Sequence, residues 1–284
     1  MTYSLAKLSR AAASFPSARP YCTLVAAVLA LTALPCRPTM AQELLTNGDF
    51  ETGTFAGWTL ENRPLGDRYD PVVPETGAFV LDDNADALTP LSGLPTLGPA
   101  SGTFYAVSDM TAKGTHTLSQ SFTVPLTATS VLLSYDMYVY DFFGAGAAID
   151  PAGLDHTTGG TNQPNQHARV DLLSSGAGAF DTDAISVLQN LYIGVDLEAS
   201  QNPPEAPVYR NYSFDLTGVA LPGQTYRLRF GEVDNQFVIS QAVDNVSVMV
   251  NAPVVVPEPS TLALVALGLL PALAVVRRAL LIRR

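Results

Sequence analysis

The chain has 284 residues, with 15 basic and 26 acidic side chains, a net charge of −11, and 47% apolar residues. Eight of the basic residues lie in the first 41 and last 25 positions, whereas 25 of the 26 acids lie in residues 42–256, so that body alone carries −18. Such a body repels phosphate and excludes nucleic acid as a partner, while it attracts divalent cations.

In chain order, the first segment reads as a secretory signal peptide over residues 1–41. Lys7, Arg10 and Arg19 precede an apolar run from Tyr21 to Leu34, which Pro35 breaks, and Thr39-Met40-Ala41 supplies small residues for cleavage after Ala41. Export of this kind engages the Sec translocon and signal peptidase. The alternative, an uncleaved anchor, is disfavoured because the apolar run is short for a bilayer core of about 30 Å. Cys22 and Cys36 are the only cysteines and both lie in this leader. The exported body, starting at Gln42, would then hold neither thiol nor disulfide, in a compartment that permits disulfides.

Residues 42–251 form one domain-sized body. Leu118, Gln120, Phe122 and Val124 alternate with Thr117, Ser119, Ser121 and Thr123. Val131, Leu133, Tyr135, Met137 and Val139 share one face of a second run. Tyr212-Phe214-Leu216, Tyr226-Leu228-Phe230 and Val246-Val248-Val250 repeat the pattern. Period two with turn-formers between the runs predicts antiparallel strands, each with one buried face. Nothing in the body sustains a helical period. The expected fold is all-β: an antiparallel sandwich or jelly roll. A glycine-rich stretch from Phe142 to Gln166, containing Asp150, Asp155 and His156, is long for a loop inside a compact domain and would decorate one end of it.

The two ends of this body carry a recognisable pairing. The first reads Asn47-Gly48-Asp49-Phe50-Glu51 and the last Val243-Asp244-Asn245-Val246. Together they resemble the ends of galactose-binding-like jelly rolls found in several carbohydrate-binding modules. That resemblance implies a structural calcium bound by Glu51 and Asp244, with Asp49 nearby. A hard cation wanting six to eight oxygens would suit an acidic body without disulfides. The plainer reading makes Asn47-Gly48-Asp49 an ordinary turn. Asp82-x-Asn84-x-Asp86 starts like an EF-hand loop, but Ala87 and Gly93 stand where glycine and glutamate are required, which favours a solvated acidic turn. Trp58, the single tryptophan, is expected in the core. Tyr69, Tyr138 and Tyr140 are candidates for an aromatic platform under sugar rings, with strand packing as the commoner use. Asn165–Asp171 and Glu232–Gln236 are dense in polar groups that could meet vicinal hydroxyls or satisfy buried backbone. No nucleophile elbow, zincin motif or phosphate loop is present.

A proline- and valine-rich linker, residues 252–259, ends in Pro257-Glu258-Pro259. The 17 residues from Ser260 to Val276 carry no charge, and Arg277, Arg278, Arg283 and Arg284 follow. This is the lower limit for a transmembrane helix, and the arginines would hold its end in the cytoplasm. The proline-bracketed acid, apolar run and basic end resemble the PEP-CTERM sorting signal of Gram-negative bacteria. That signal implies processing by a membrane-embedded exosortase and a link to exopolysaccharide. The resulting expectation is a non-enzymatic protein, anchored briefly in the inner membrane and then displayed in contact with exopolysaccharide. A polysaccharide hydrolase and a purely structural adhesin are the alternatives.

Overall fold

A computed structural model of the chain describes residues 39–63, 77–83, 87–110, 113–142, 146–149, 153–157, 164–196, 208–236 and 238–253. The expected signal peptide, apart from its last three residues, the Pro257-Glu258-Pro259 motif and the expected transmembrane segment lie outside the described residues. Among those described, no helix is long and apolar enough to cross a membrane.

Eleven strands make up the body: β1 (Thr39–Glu43), β2 (Thr59–Asn62), β3 (Gly77–Asp82), β4 (Tyr105–Met110), β5 (Gly114–Thr123), β6 (Ser130–Asp141), β7 (Gln166–Ser174), β8 (Val187–Gly194), β9 (Arg210–Asp215), β10 (Thr225–Asp234) and β11 (Ile239–Pro253). One sheet has the order β3-β4-β11-β6-β9, with β1 also paired to β11; the other has the order β2-β5-β10-β7-β8. Every pairing is antiparallel. β1 spans the cleavage point expected after Ala41, and β11 continues two residues into the expected linker.

The alternation in the sequence maps directly onto the packing. Leu118, Phe122 and Val124, together with Leu228 and Phe230, meet Val131, Leu133, Tyr135, Met137 and Val139 from the facing sheet in one core. Each such side chain contributes about 1.5–3 kcal/mol through burial. Parts of both outer faces are covered as well, and there the simple alternation fails. β4 is buried along its whole length. Over the outer face of the second sheet, Arg229 is wholly buried and donates to Asp171 Oδ2 at 2.5 Å and to the carbonyls of Ala179 (2.7 Å) and Asp181 (2.8 Å). Arg169 completes the cluster through two bonds to Asp171, at 2.6 and 2.8 Å. The two guanidinium groups outweigh desolvation and hold the Asp171 carboxyl below its usual value.

One end of the space between the sheets is polar. Glu232 on β10 lies opposite His116 on β5, and both are buried. Neither Glu232 oxygen, nor His116 Nε2, nor the Oε1 of buried Gln241 has a hydrogen-bond partner. Burial, reinforced by the Asp234 carboxylate, pushes Glu232 well above the usual carboxylate range. Burial draws His116 down to about 4. His116 is therefore carried neutral at neutral pH, and burial favours the protonated form of Glu232. A raised carboxyl stabilises the fold fully only below its unfolded value and progressively less as pH rises toward its folded one. Glu232→Gln should accordingly flatten the fall in melting temperature as pH rises above the ordinary carboxylate range and raise stability at the alkaline end. Thermal unfolding monitored by circular dichroism over that rise in pH is the check; an unchanged slope would assign the pH dependence to other groups.

Candidate functional site

The first and last strands of the body meet at a backbone contact. Gly48 O accepts from Val246 N at 2.8 Å, and Leu44 N donates to Val248 O at 3.0 Å. A β-bulge shifts the pairing of β11 with β6 between Asp244 and Ser247. Asn245 takes a φ of 51° there, opposite the turn in which Asn47 takes 54°; asparagine tolerates this left-handed region better than most residues. The turn is closed by its own side chains. Asn47 Nδ2 donates to Thr54 O at 2.7 Å, and its Oδ1 accepts from Thr52 N at 3.2 Å. Trp58 Nε1 donates to Asn47 O at 2.9 Å. Trp58 is buried as expected, and its ring lies 5.4 Å from that of Phe50. Phe50, a bulky residue, has a φ of 56°. This strain costs on the order of 1–3 kcal/mol and is offset by complete burial of the ring.

Around this junction the acids are used in distinct ways. Glu51 Oε1 accepts from Thr103 N (2.7 Å) and Phe104 N (2.9 Å), and these bonds lower its pKa. Asp244 Oδ2 accepts from Ala100 N (2.9 Å) and Ser101 N (3.1 Å). Burial nevertheless outweighs these donors and holds the Asp244 carboxyl up at about 6. Glu51 and Asp244 thus grip one short loop from opposite ends of the chain. Asp49 stays apart: it is exposed, with a contact of 3.4 Å from Glu51 N to its Oδ1. A calcium site would need carbonyl oxygens turned toward these carboxylates, whereas the loop presents amide N–H groups. The set does not fit calcium as arranged, and among the described residues no group of three His, Cys, Asp or Glu side chains is placed to hold a metal.

The aromatic candidates separate as well. Tyr69 lies outside the described residues. Tyr138 is buried, its hydroxyl bonded to Thr96 Oγ1 at 2.7 Å and its ring edge-on to Tyr209 at 4.9 Å, so it is packing and not an open platform. Tyr140 is half-buried against Phe142 at 4.2 Å. Asp82 is also absorbed: it accepts the Tyr105 hydroxyl at 2.5 Å. Glu43 is the residue that sequence reasoning overlooked. Its Oε1 accepts from the backbone N–H groups of Leu44 (2.9 Å), Leu45 (2.8 Å) and Val248 (2.9 Å), and its Oε2 accepts from Ser247 Oγ at 2.5 Å. It stands six residues before Asp49 and eight before Glu51, and carries no motif of its own. Between Glu43, Asn47, Asp49, Asn245 and Ser247 lies a cavity of about 340 Å³. Leu45 and Val246 share its walls with carboxylates, amides, the Ser247 hydroxyl and backbone, and Asp49 is the acid within it that the fold uses least.

Residues 255–283 match the PEP-CTERM protein-sorting motif. No curated protein matches the chain in sequence. Similar solved structures include the carbohydrate-binding module TmCBM61 in complex with β-1,4-galactotriose, at 10% identity over 73% of this chain and 97% of that one, with a TM-score of 0.39. The K3 cleaved adhesin domain of Lys-gingipain from Porphyromonas gingivalis is 16% identical, with coverage of 73% and 98% and a TM-score of 0.43. A Stig cyclase from Fischerella sp. TAU is 16% identical, with coverage of 75% and 99% and a TM-score of 0.40. These likenesses concern strand arrangement and carry nothing about activity. The motif, in contrast, marks the chain for export and for membrane-anchored sorting in a Gram-negative bacterium.

A Cβ on Gly48 would stand 1.8 Å from Val246 O, backbone against backbone. Gly48→Ala should therefore part the first and last strands and cost about 3 kcal/mol or more. Gly93 has a φ of 65° but open space around its Cβ position, so Gly93→Ala should cost only the local strain, about 1 kcal/mol. Denaturant unfolding of the two variants gives the comparison; equal losses would show that the close approach is not what constrains position 48.

Proposed function

We propose that this chain is an exported, non-enzymatic jelly-roll protein that an exosortase delivers from the inner membrane to the cell surface or matrix, where it associates with exopolysaccharide. The sorting motif over residues 255–283 carries the first half of this reading. The second half draws support from the cavity beside Asp49, whose amide and carboxylate walls suit sugar hydroxyls. Glu43, Glu51 and Asp244 are held by backbone N–H groups. That arrangement favours binding over glycosidic cleavage, which needs a pair of carboxylates free to face the substrate.

Two experiments test the halves separately. Replacing Glu258 with Ala in the full chain should block processing, so that the uncut precursor accumulates in the inner membrane on an immunoblot; normal maturation would remove the exosortase from the account. Folded protein should be retained on the exopolysaccharide of its own producing strain, and Asp49→Ala should weaken retention about tenfold, equivalent to about 1.4 kcal/mol. No retention of the wild-type protein would end the glycan reading. Calcium, the role the resemblance gives Asp49, Glu51 and Asp244, has its own readout. Titration of EDTA-stripped protein should leave the melting temperature unchanged unless loop 100–104 turns its carbonyls inward.

A further inference from the structure

The two most exposed large apolar side chains among the described residues lie at one end of the body: Ile185 is 86% exposed and Leu126 83%. Met40 (63%) and Val208 (60%) follow, Val208 just before β9, and Leu221 is 53% exposed. Three of these sit on different connections: Leu126 between β5 and β6, Ile185 between β7 and β8, and Leu221 between β9 and β10. The register places all three connections at one end of the sandwich. Thr123, at the end of β5, pairs with Thr225 at the start of β10, and Ser174, at the end of β7, pairs with Tyr226. Leu132 at the start of β6 pairs with Asp215 at the end of β9. β11 finishes at the same end, where Asn251 pairs with Ser130.

These tips are held rigidly. Asp183 Oδ1 accepts from Ile185 N (2.8 Å) and Ser186 N (3.0 Å), which fixes the turn that presents Ile185. Gly223 N donates to Val124 O at 2.8 Å, tying together the connections that carry Leu126 and Leu221. Leu221 N donates to the Tyr226 hydroxyl at 2.7 Å. Ordering them on a partner would therefore cost little entropy.

We propose that this end of the sandwich docks on the bilayer surface that receives the tail, with Leu126, Ile185 and Leu221 inserted at the headgroup boundary. The proposal rests on the reading of the tail as a membrane anchor. The chain leaves the sandwich from this end at Pro253, and only residues 254–259 precede the uncharged run that starts at Ser260. Six extended residues span at most about 20 Å, so this end is the one held against the membrane. Apolar side chains at loop tips gain by entering the interface. The acids nearby, Asp181, Asp183 and Asp215, lie among the same connections. Local hydrogen bonds hold Asp183 and Asp215 below the usual carboxylate range. The attraction is thus apolar, and a zwitterionic surface fits it better than an anionic one.

The test uses the full chain with Cys22→Ser and Cys36→Ser, in phosphatidylcholine vesicles. Single cysteines replace Leu126, Ile185, Leu221 or, as a control at the opposite end, Ile149, which is 52% exposed. Each carries an environment-sensitive fluorophore. The three tip positions should brighten about threefold and be quenched by spin-labelled lipid, as burial in the interface requires, while position 149 should stay as in buffer. Adding phosphatidylglycerol should not strengthen the effect. Co-flotation of the chain with vesicles reports anchoring separately. A chain that floats with all four positions equally water-exposed overturns the docking while leaving the anchor intact. A chain that neither floats nor shields its tips overturns both.

Discussion

The hydrogen bond from Val246 N to Gly48 O is the contact on which the rest of the arrangement depends. It joins the two ends of the body in a domain whose described residues include no cysteine. The approach is close enough that only glycine is accommodated at position 48. Once it is made, the bulge at Asp244–Ser247 and the turn at Asn47–Glu51 face each other, and their acids converge on loop 100–104. That loop continues from the segment covering the outer face of the first sheet, where Tyr209 donates to Gly98 O at 2.8 Å and Tyr138 bonds Thr96. Opening the junction would therefore loosen the grip on a loop about fifty residues from either partner in sequence or more. Disulfides commonly serve this purpose in exported domains; here carboxylates bonded to backbone N–H groups do so.

The same substitution of polar staples for covalent ones recurs on the opposite face. Asp171 binds two arginines, one of them wholly buried, and Arg229 in turn holds the carbonyls of the 179–181 segment. Charges taken out of water in this way are costly unless every partner is present, and losing one partner costs about 3–5 kcal/mol. The cluster thus fixes where the covering segment lies more than it adds net stability. Loops on both faces are anchored by ionised side chains reaching out of the strands, so an acidic body does not imply an acidic surface ready for cations.

How much of this was legible in the sequence follows from which faces the strands bury. β5, β6, β9, β10 and β11 announce themselves because one face meets the core and the other meets water or a polar cover, so period two survives in residue type. β4 carries Tyr105, Val107 and Asp109 on a face that is also buried, so its alternation of residue types vanishes. β7 reads as a polar cluster, Gln166 to Asp171, because Arg169 and Asp171 are buried under a loop instead of being solvated. At the junction, Glu51 and Asp244, which the motif pairs, both accept from loop 100–104. The motif could not say whether that loop would offer them carbonyls or amides, since peptide orientation leaves no mark on residue type. Glu43 was invisible for a related reason: its four acceptor contacts are to backbone and a serine, none of which has a characteristic spacing.

That difference between carbonyl and amide bears on function. A carboxylate surrounded by carbonyls needs a cation; one surrounded by N–H groups is already neutralised and becomes a fixed wall. Glu43, Glu51 and Asp244 are walls of this second kind, and together they leave Asp49 as the acid beside the cavity with free capacity. One free acceptor among amides and a backbone edge can orient a hydroxylated ligand through hydrogen bonds. Glycosidic hydrolysis, in contrast, requires two carboxyls that face the substrate at once. The proposed glycan-holding role rests on this contrast between bonded and free carboxylates, and the sorting motif at the other end of the chain bears separately on where the chain is delivered.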